Sequence, residues 1–265
     1  MLLHAIERGP DSPAATDLPP LVFLHGLFGR GRNFGFFQRR LSETRRTVAF
    51  DLRNHGDSPH GPMDYPTMAQ DVLETLDHLK VSPAIVVGHS MGGKTGMMLA
   101  LRHPEIVTKL LVADIAPGEG GFSQGHDLAA RLAALPLPPH LTRADADALL
   151  SSVIREPDVR NLMLQNLDLG ENPHWSIGIH EIAAAMPAIV GWPSISDGTH
   201  YDGPTLFVAG GRSDYIQPVN YPEMKRLFPN YRLTTIEGAG HWVHAEKPNE
   251  FFELLTQFIG SDQVA

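Results

Sequence analysis

The chain has 265 residues, 42% of them hydrophobic, which suits one large globular domain or two small ones with a sizeable core. Its 30 acidic against 21 basic residues give a formal charge of −9 with no Lys/Arg-rich run, so a solvated acidic surface is expected rather than a nucleic-acid footprint or a basic membrane patch. Cysteine is absent, which excludes disulfides, thiolate metal sites and a cysteine nucleophile.

The first residues, Met1 to Arg8, lack a long apolar run and a cleavage site, and no later segment stays apolar for the ~18 residues a membrane span needs. A cytoplasmic protein without a membrane span is the expectation. Gly9 to Pro20, rich in Pro and Asp, reads as a turn. Six short apolar runs follow, at Leu21–Leu24, Thr47–Phe50, Ala84–Val87, Leu110–Ala113, Thr205–Ala209 and Leu233–Ile236. Continuous and mostly rich in β-branched residues, they suit strands covered on both faces, and their alternation with helical patterns predicts βαβ units and a parallel sheet. Helices are predicted over Met68–Leu79 with Thr67 as N-cap, over Met91–His103, and over Asn249–Ile259.

Between roughly Pro117 and Asp202 the strand rhythm stops, and Ala/Leu-rich helical stretches are punctuated by Pro. This predicts a helical insertion, residues 117–201, in a core made of 1–116 and 202–265. It leaves the core after one strand and returns before the next, which sets it over the carboxyl ends of the strands, where open α/β sheets bind ligands.

Gly88-His89-Ser90-Met91-Gly92 matches G-x-S-x-G, directly after a strand pattern and before a helical one. That context matters because a nucleophilic serine there needs a sharp strand-to-helix turn, which small flanking residues permit. Gly121-Phe122-Ser123-Gln124-Gly125 matches the same string but follows a loop, so Ser123 is expected to be an ordinary loop or cap residue. A helix beginning at Ser90 turns its positive end, and the Met91 N–H, toward a developing oxyanion. The second donor falls in His25-Gly26-Leu27-Phe28-Gly29, which resembles an HGxxG segment. Leu27 N–H is the assignment, with Phe28 as its substitute.

With these segments in place the chain, from Leu21 to Ile259, resembles the α/β-hydrolase superfamily. Asp51-Leu52-Arg53-Asn54-His55-Gly56-Asp57-Ser58, Gly88 to Lys94, Ala113-Asp114-Ile115-Ala116-Pro117 and Gly238 to Pro248 are together similar to the YbfF-type bacterial esterases and their mitochondrial relatives. The resemblance implies an α/β fold with a mostly parallel eight-stranded sheet flanked by helices, a helical cap inserted after the sixth strand, and cofactor-free hydrolysis of esters or thioesters.

The catalytic base should be a histidine titrating near neutrality. Of 14 histidines, His241 follows Gly238-Ala239-Gly240 after the last strand and fits the superfamily order of serine, acid, histidine. His244 is the bland alternative, and His25, His55 and His89 accompany glycine turns as structural or wall-forming residues. Two carboxylates compete to orient the base. Asp214, after the strand at Thr205–Ala209, sits where the superfamily most often keeps its acid, whereas Asp114 matches the narrower YbfF-like group; the closer resemblance favours Asp114.

Asp51, Arg53 and Asp57 read as a brace beside the elbow. His180-Glu181 begins an HExxH-like string that ends in Ala184, and His241 and His244 have no third ligand in the pattern, so no metal is expected; the first glycine turn lacks dinucleotide or P-loop spacing, so no nucleotide cofactor is expected either. Phe28, His89, Phe122, Trp192 and Trp242 are the substrate-contacting candidates; Met163, Trp175 and Met186 in the insertion could join them or simply fill its core. The partner these residues imply is a small ester or thioester, cleaved through an acyl-enzyme. Lactone, carbon–carbon and peracid chemistry on the same three residues, or ligand binding without turnover, are the alternatives. Epoxide hydrolase and dehalogenase chemistry would require Asp at the elbow.

Overall fold

The computed structural model describes residues 1–10, 18–118 and 125–260. Its main sheet is built from β1 (Ala5–Arg8), β2 (Leu21–Leu24), β3 (Thr47–Phe50), β4 (Ala84–His89), β5 (Val107–Ala113), β8 (Thr205–Gly210) and β9 (Tyr231–Ile236), in the order β1-β3-β2-β4-β5-β8-β9. Only β1 runs antiparallel, against β3. Side chains alternate faces along each strand. Leu21, Phe23, Ala49, Ile85, Val87, Leu111 and Val208 pack against α1 (Gly35–Leu41) and α10 (Pro248–Gly260) through Phe37, Leu41, Phe251, Leu255 and Phe258. Val22, Leu24, Phe50, Val86, Leu110 and Phe207 face the other way, toward Met68, Val72 and Leu76 of α2 (Tyr65–Leu79) and Met97 and Leu101 of α3 (Met91–Arg102). Helices on both faces explain why Leu21–Leu24, Val48–Phe50, Ala84–Val87 and Leu110–Ala113 are apolar throughout: neither face of these stretches meets water.

All six strands predicted from apolar runs are present. The described residues give seven strands in this sheet rather than eight, and the insertion follows the fifth in chain order. Two further differences are informative. β1 escaped the pattern because it is an edge strand whose half-buried to exposed residues Ala-Ile-Glu-Arg carry no apolar run. α2 begins three residues earlier than predicted, capped not by Thr67 but by Asp64, whose carboxylate accepts the Thr67 N–H at 2.7 Å; Pro66 lies in the first turn, where its missing N–H costs nothing.

Between β5 and β8 the described residues form α4 (Gly125–Ala133), α5 (Arg143–Ser151), α6 (Pro157–Leu164), a ribbon of β6 (Leu167–Asp168) and β7 (His174–Trp175), and α7 (Ile179–Val190), and among them none adds a strand to the main sheet. The ribbon was not foreseen; two-residue strands are too short to show a period. Leu150, Met163, Ile182 and Met186 join the apolar face of α2 and α3, so this segment shares the core. Lys94, fully buried in α3, donates to Gly118 O at 2.8 Å, Val190 O at 3.3 Å and Gly191 O at 3.0 Å. One ammonium thus holds the points where the chain leaves the core and returns to it.

Candidate active site

β2, β4, β5 and β8 end in register, with Leu24 beside Gly88, His89 beside Ala113, and Ala113 beside Val208. The loops leaving these ends therefore converge. At the end of β4, Ser90 turns the chain into α3 with φ 51° and ψ −118°, a backbone state that costs a side-chain-bearing residue on the order of 1–3 kcal/mol. Its surroundings hold it there. Ser90 N–H donates to Ala113 O at 3.0 Å, and Gly88 and Gly92 let the turn close: a Cβ on Gly88 would strike Gly92 O, and one on Gly92 would strike Leu24 O. The strain sets the Ser90 hydroxyl above the strand ends.

The His241 Nε2 lies 3.1 Å from Ser90 Oγ, and its Nδ1 lies 2.8 Å from Asp114 Oδ2. A carboxylate only accepts, so Nδ1 carries the proton and Nε2 is left free to accept the serine hydroxyl. The imidazole is gripped from several sides. Tyr215 stacks on it with ring centroids 3.7 Å apart, and His89 Nε2–H donates to the His241 carbonyl at 2.9 Å. The preceding residue, Gly240, is held through its N–H by Glu246 at 2.9 Å.

Asp114 is fully buried and also sits in the left-handed region, φ 52°. Its N–H donates to Val208 O at 2.8 Å, its Oδ1 accepts Gly210 N–H at 2.8 Å, and its Oδ2 accepts the Ser213 hydroxyl as well as His241. Asp214 is exposed, and among the described residues it makes no hydrogen bond or ion pair with His241. It acts only at a distance: burial, with smaller contributions from the charges of Asp214 and Asp114, pushes the Tyr215 hydroxyl up to about 12. Sequence reasoning missed Ser213, although a hydroxyl next to an acid at a strand end was a usable signal.

Three of the buried histidines, His25, His55 and His89, brace neighbouring loops through hydrogen bonds. His25 donates through Nδ1 to Gly26 O at 2.8 Å and accepts Leu52 N–H on Nε2 at 2.9 Å; His55 donates to Arg53 O at 2.9 Å and accepts Phe28 N–H at 3.1 Å. Both roles require a neutral ring, and burial enforces it, lowering His25 and bringing His55 to about 3. Burial, with help from neighbouring histidines, also depresses His89, and brings His244 to about 4. With Phe28 N–H committed to His55, the substitute donor of the glycine turn is occupied, whereas neither Leu27 N–H nor Met91 N–H meets a protein acceptor among the described residues. Asp51 accepts Gly31 N–H at 2.7 Å and Asp57 N–H at 3.0 Å, and Arg53 pairs with Asp71 at 2.5 Å, so this segment braces the loop as its pattern suggested.

A cavity of about 600 Å³ opens over Ser90 and His241. Leu128, Val153, Ile154, Val159 and Leu162 from the insertion supply apolar wall, and Asp127, Arg131, Arg155 and Glu156 add charge. Phe28, His89 and Trp242 line it. Trp192 does not; it packs on Tyr65, ring centroids 5.8 Å apart, at the junction of insertion and core. Met163 and Met186 are fully buried core, with Trp175 packed beside them. Phe122 and Ser123 lie outside the described residues.

A family model described as "Alpha/beta hydrolase family" matches residues 21–254. The chain is 41% identical over 253 residues to the "sn-1-specific diacylglycerol lipase ABHD11" of Mus musculus, covering 91% of this chain and 81% of that one. It is 36% identical over 241 residues to "Esterase YbfF" of Escherichia coli, covering 91% and 92%. Among solved structures, a "Marine microorganism esterase" superposes with a TM-score of 0.89 at 34% identity, covering 97% of this chain and 99% of that one.

Proposed function

Because this chain belongs to the alpha/beta hydrolase family, and is a hydrolase of its esterase/lipase type, we propose that it cleaves carboxylic esters or thioesters through an acyl-enzyme formed on Ser90. The observation that carries this reading is the unbroken run of hydrogen bonds from Ser90 Oγ through His241 to Asp114, beneath a cavity with an apolar wall.

In this mechanism Ser90 Oγ attacks the substrate carbonyl as His241 Nε2 takes its proton. Asp114 keeps the proton on Nδ1 and stabilises the imidazolium as it forms. The carbonyl oxygen, now an anion, is received by Leu27 N–H and Met91 N–H, the latter at the positive end of α3. His241 returns its proton to the departing alcohol or thiol, whose bond to the acyl carbon breaks. A water then repeats the sequence: His241 takes its proton, hydroxide adds to the acyl carbon, and Ser90 leaves with the proton back on Oγ. Residues 117–201 act as a cap over the core, and the apolar wall they contribute takes the acyl group. The substrate is a small molecule, and a cytoplasmic location is part of the same proposal.

The test is turnover of p-nitrophenyl esters and acyl-CoAs of graded chain length, comparing wild type with Ser90→Ala. Loss of all turnover in the variant is expected. Undiminished turnover would overturn the proposal, and the profile assigns chain length and ester or thioester preference.

A further inference from the structure

In the loop that carries the Leu27 N–H, the neighbouring peptide groups are held in place while that donor is left open. Gly29 N–H is tied to Gly26 O at 2.9 Å, and Phe28 N–H to His55 at 3.1 Å. Phe28 itself is in the left-handed region, φ 63°, unfavourable for a bulky residue and kept only where its surroundings enforce it. The remaining polar group of that residue, its carbonyl, is held from the insertion: Asn166 Nδ2 donates to Phe28 O at 2.7 Å.

Asn166 lies between α6 and β6 and is fully buried. Its Oδ1 accepts Arg30 Nε–H at 3.0 Å, and its amide group donates also to Leu162 O at 3.2 Å. A donor on one side and two carbonyls on the other fix which way the amide points. Arg30 continues to Ser176 Oγ at 2.5 Å, and Ser176 N–H returns to Asn166 O at 2.9 Å. Two residues of the glycine loop and three of the insertion thus form one closed hydrogen-bonded unit.

We propose that Asn166 is a positioning residue for transition-state stabilisation: from the insertion it locks the peptide after Phe28, and so the Leu27 N–H, in the orientation that receives the oxyanion. The inference rests on the reading of Leu27 N–H as an oxyanion donor. With the Phe28 carbonyl released, a strained residue is free to relax and to carry the adjoining peptides with it. Misplacing a group at a reacting centre by about 1 Å costs roughly a hundredfold in rate. Ser90, His241 and Asp114 share no hydrogen bond with this unit, so their protonation is unaffected.

Asn166→Asp and Asn166→Ala test it, with Thr142→Ala as control, which removes the hydroxyl capping α5 elsewhere in the insertion. Asp keeps the side-chain volume and an acceptor for Arg30, loses the donors, and sets a carboxylate oxygen against the Phe28 and Leu162 carbonyls, with its charge facing Arg30. Steady-state kinetics on p-nitrophenyl butyrate across pH should show kcat lowered by about 10- to 100-fold in both Asn166 variants. KM should stay within about twofold and the pH midpoint should not move, while the Thr142 variant keeps normal kcat. Should Asn166→Ala fail to fold, Asn166→Asp decides. The proposal is overturned by a folded variant whose kcat matches wild type, by an effect confined to KM, or by an equal loss in the Thr142 control. Absence of turnover in wild type would instead indict the ester-hydrolase reading itself.

Discussion

Asp114→Asn exchanges one oxygen for an amide nitrogen, and the structure dictates where that nitrogen must go. The Gly210 N–H, 2.8 Å from Oδ1, accepts nothing, so the amide oxygen has to stay on that side. The NH2 group is then turned to the position of Oδ2, facing Ser213 and His241 Nδ1 at 2.8 Å. Ser213 adapts by rotating its hydroxyl from donor to acceptor. His241 adapts only by giving up the Nδ1 proton, which moves to Nε2 and leaves that nitrogen unable to take the proton of Ser90. Holding the wrong tautomer costs on the order of ten-thousandfold in turnover, which is about 5 kcal/mol of barrier at about 1.36 kcal/mol per decade. Asp214→Asn, at an exposed residue outside this network, should stay within about twofold of wild type. The assay is kcat/KM on p-nitrophenyl butyrate for both variants near neutral pH. A large loss in Asp214→Asn with Asp114→Asn little affected would refute the tautomer argument.

Acidification should destabilise the fold through two buried histidines: His55 and His244 are depressed to about 3 and about 4, so between those values and about 6.5 the unfolded chain binds protons that the folded one refuses. Stability is therefore complete above about pH 6.5 and falls as pH drops, by about 2 kcal/mol per such histidine at pH 5; urea unfolding at pH 7 and pH 5 checks this, and equal midpoints would contradict it. Gly88→Ala forces a Cβ onto the Gly92 carbonyl and should cost at least about 3 kcal/mol, whereas Gly260→Ala, which meets nothing within 4 Å, should cost little. Thermal melts of the two variants make the comparison, and similar losses would count against a close-packed elbow. Lys94→Met strips the buried donor from Gly118, Val190 and Gly191, and should cost about 1–3 kcal/mol and hasten proteolysis at residues 117–201. An unchanged melt and digestion pattern would remove Lys94 as the fastening of the insertion.

What was legible in the sequence tracks how local each signal is. β2 to β5 could be read because burial on both faces writes a short apolar run within each, such as Leu110–Ala113 after Lys109 in β5, whereas β1, at an edge, writes none. At the start of α2 both Asp64 and Thr67 are suitable caps; Pro66, which belongs in a first turn, was the cue that favours Asp64. The elbow was readable because its glycines flank the serine in a fixed local string, Gly88 being required by its contact with Gly92 four residues on. The partner of His241 was not: Asp114 and Asp214 both follow strand ends, and which one faces the ring depends on the left-handed turn at residue 114 and the course of the loop after β8. Trp192 fails as a pocket residue for the same reason, since its direction is set by Tyr65, distant in sequence. Ser213 carried only the weak cue of a hydroxyl at a strand end, and Asn166 lies in no motif; their roles emerge once 114 and 213, or 28 and 166, are brought together in space.

Incubation with a fluorophosphonate followed by peptide mapping addresses the account most directly, because such a probe phosphonylates only a serine whose hydroxyl is activated and whose oxyanion is received. A single adduct on Ser90, lost in His241→Ala, is the result the geometry calls for. An adduct on Ser123, or none on a protein that still turns over esters, would contradict it.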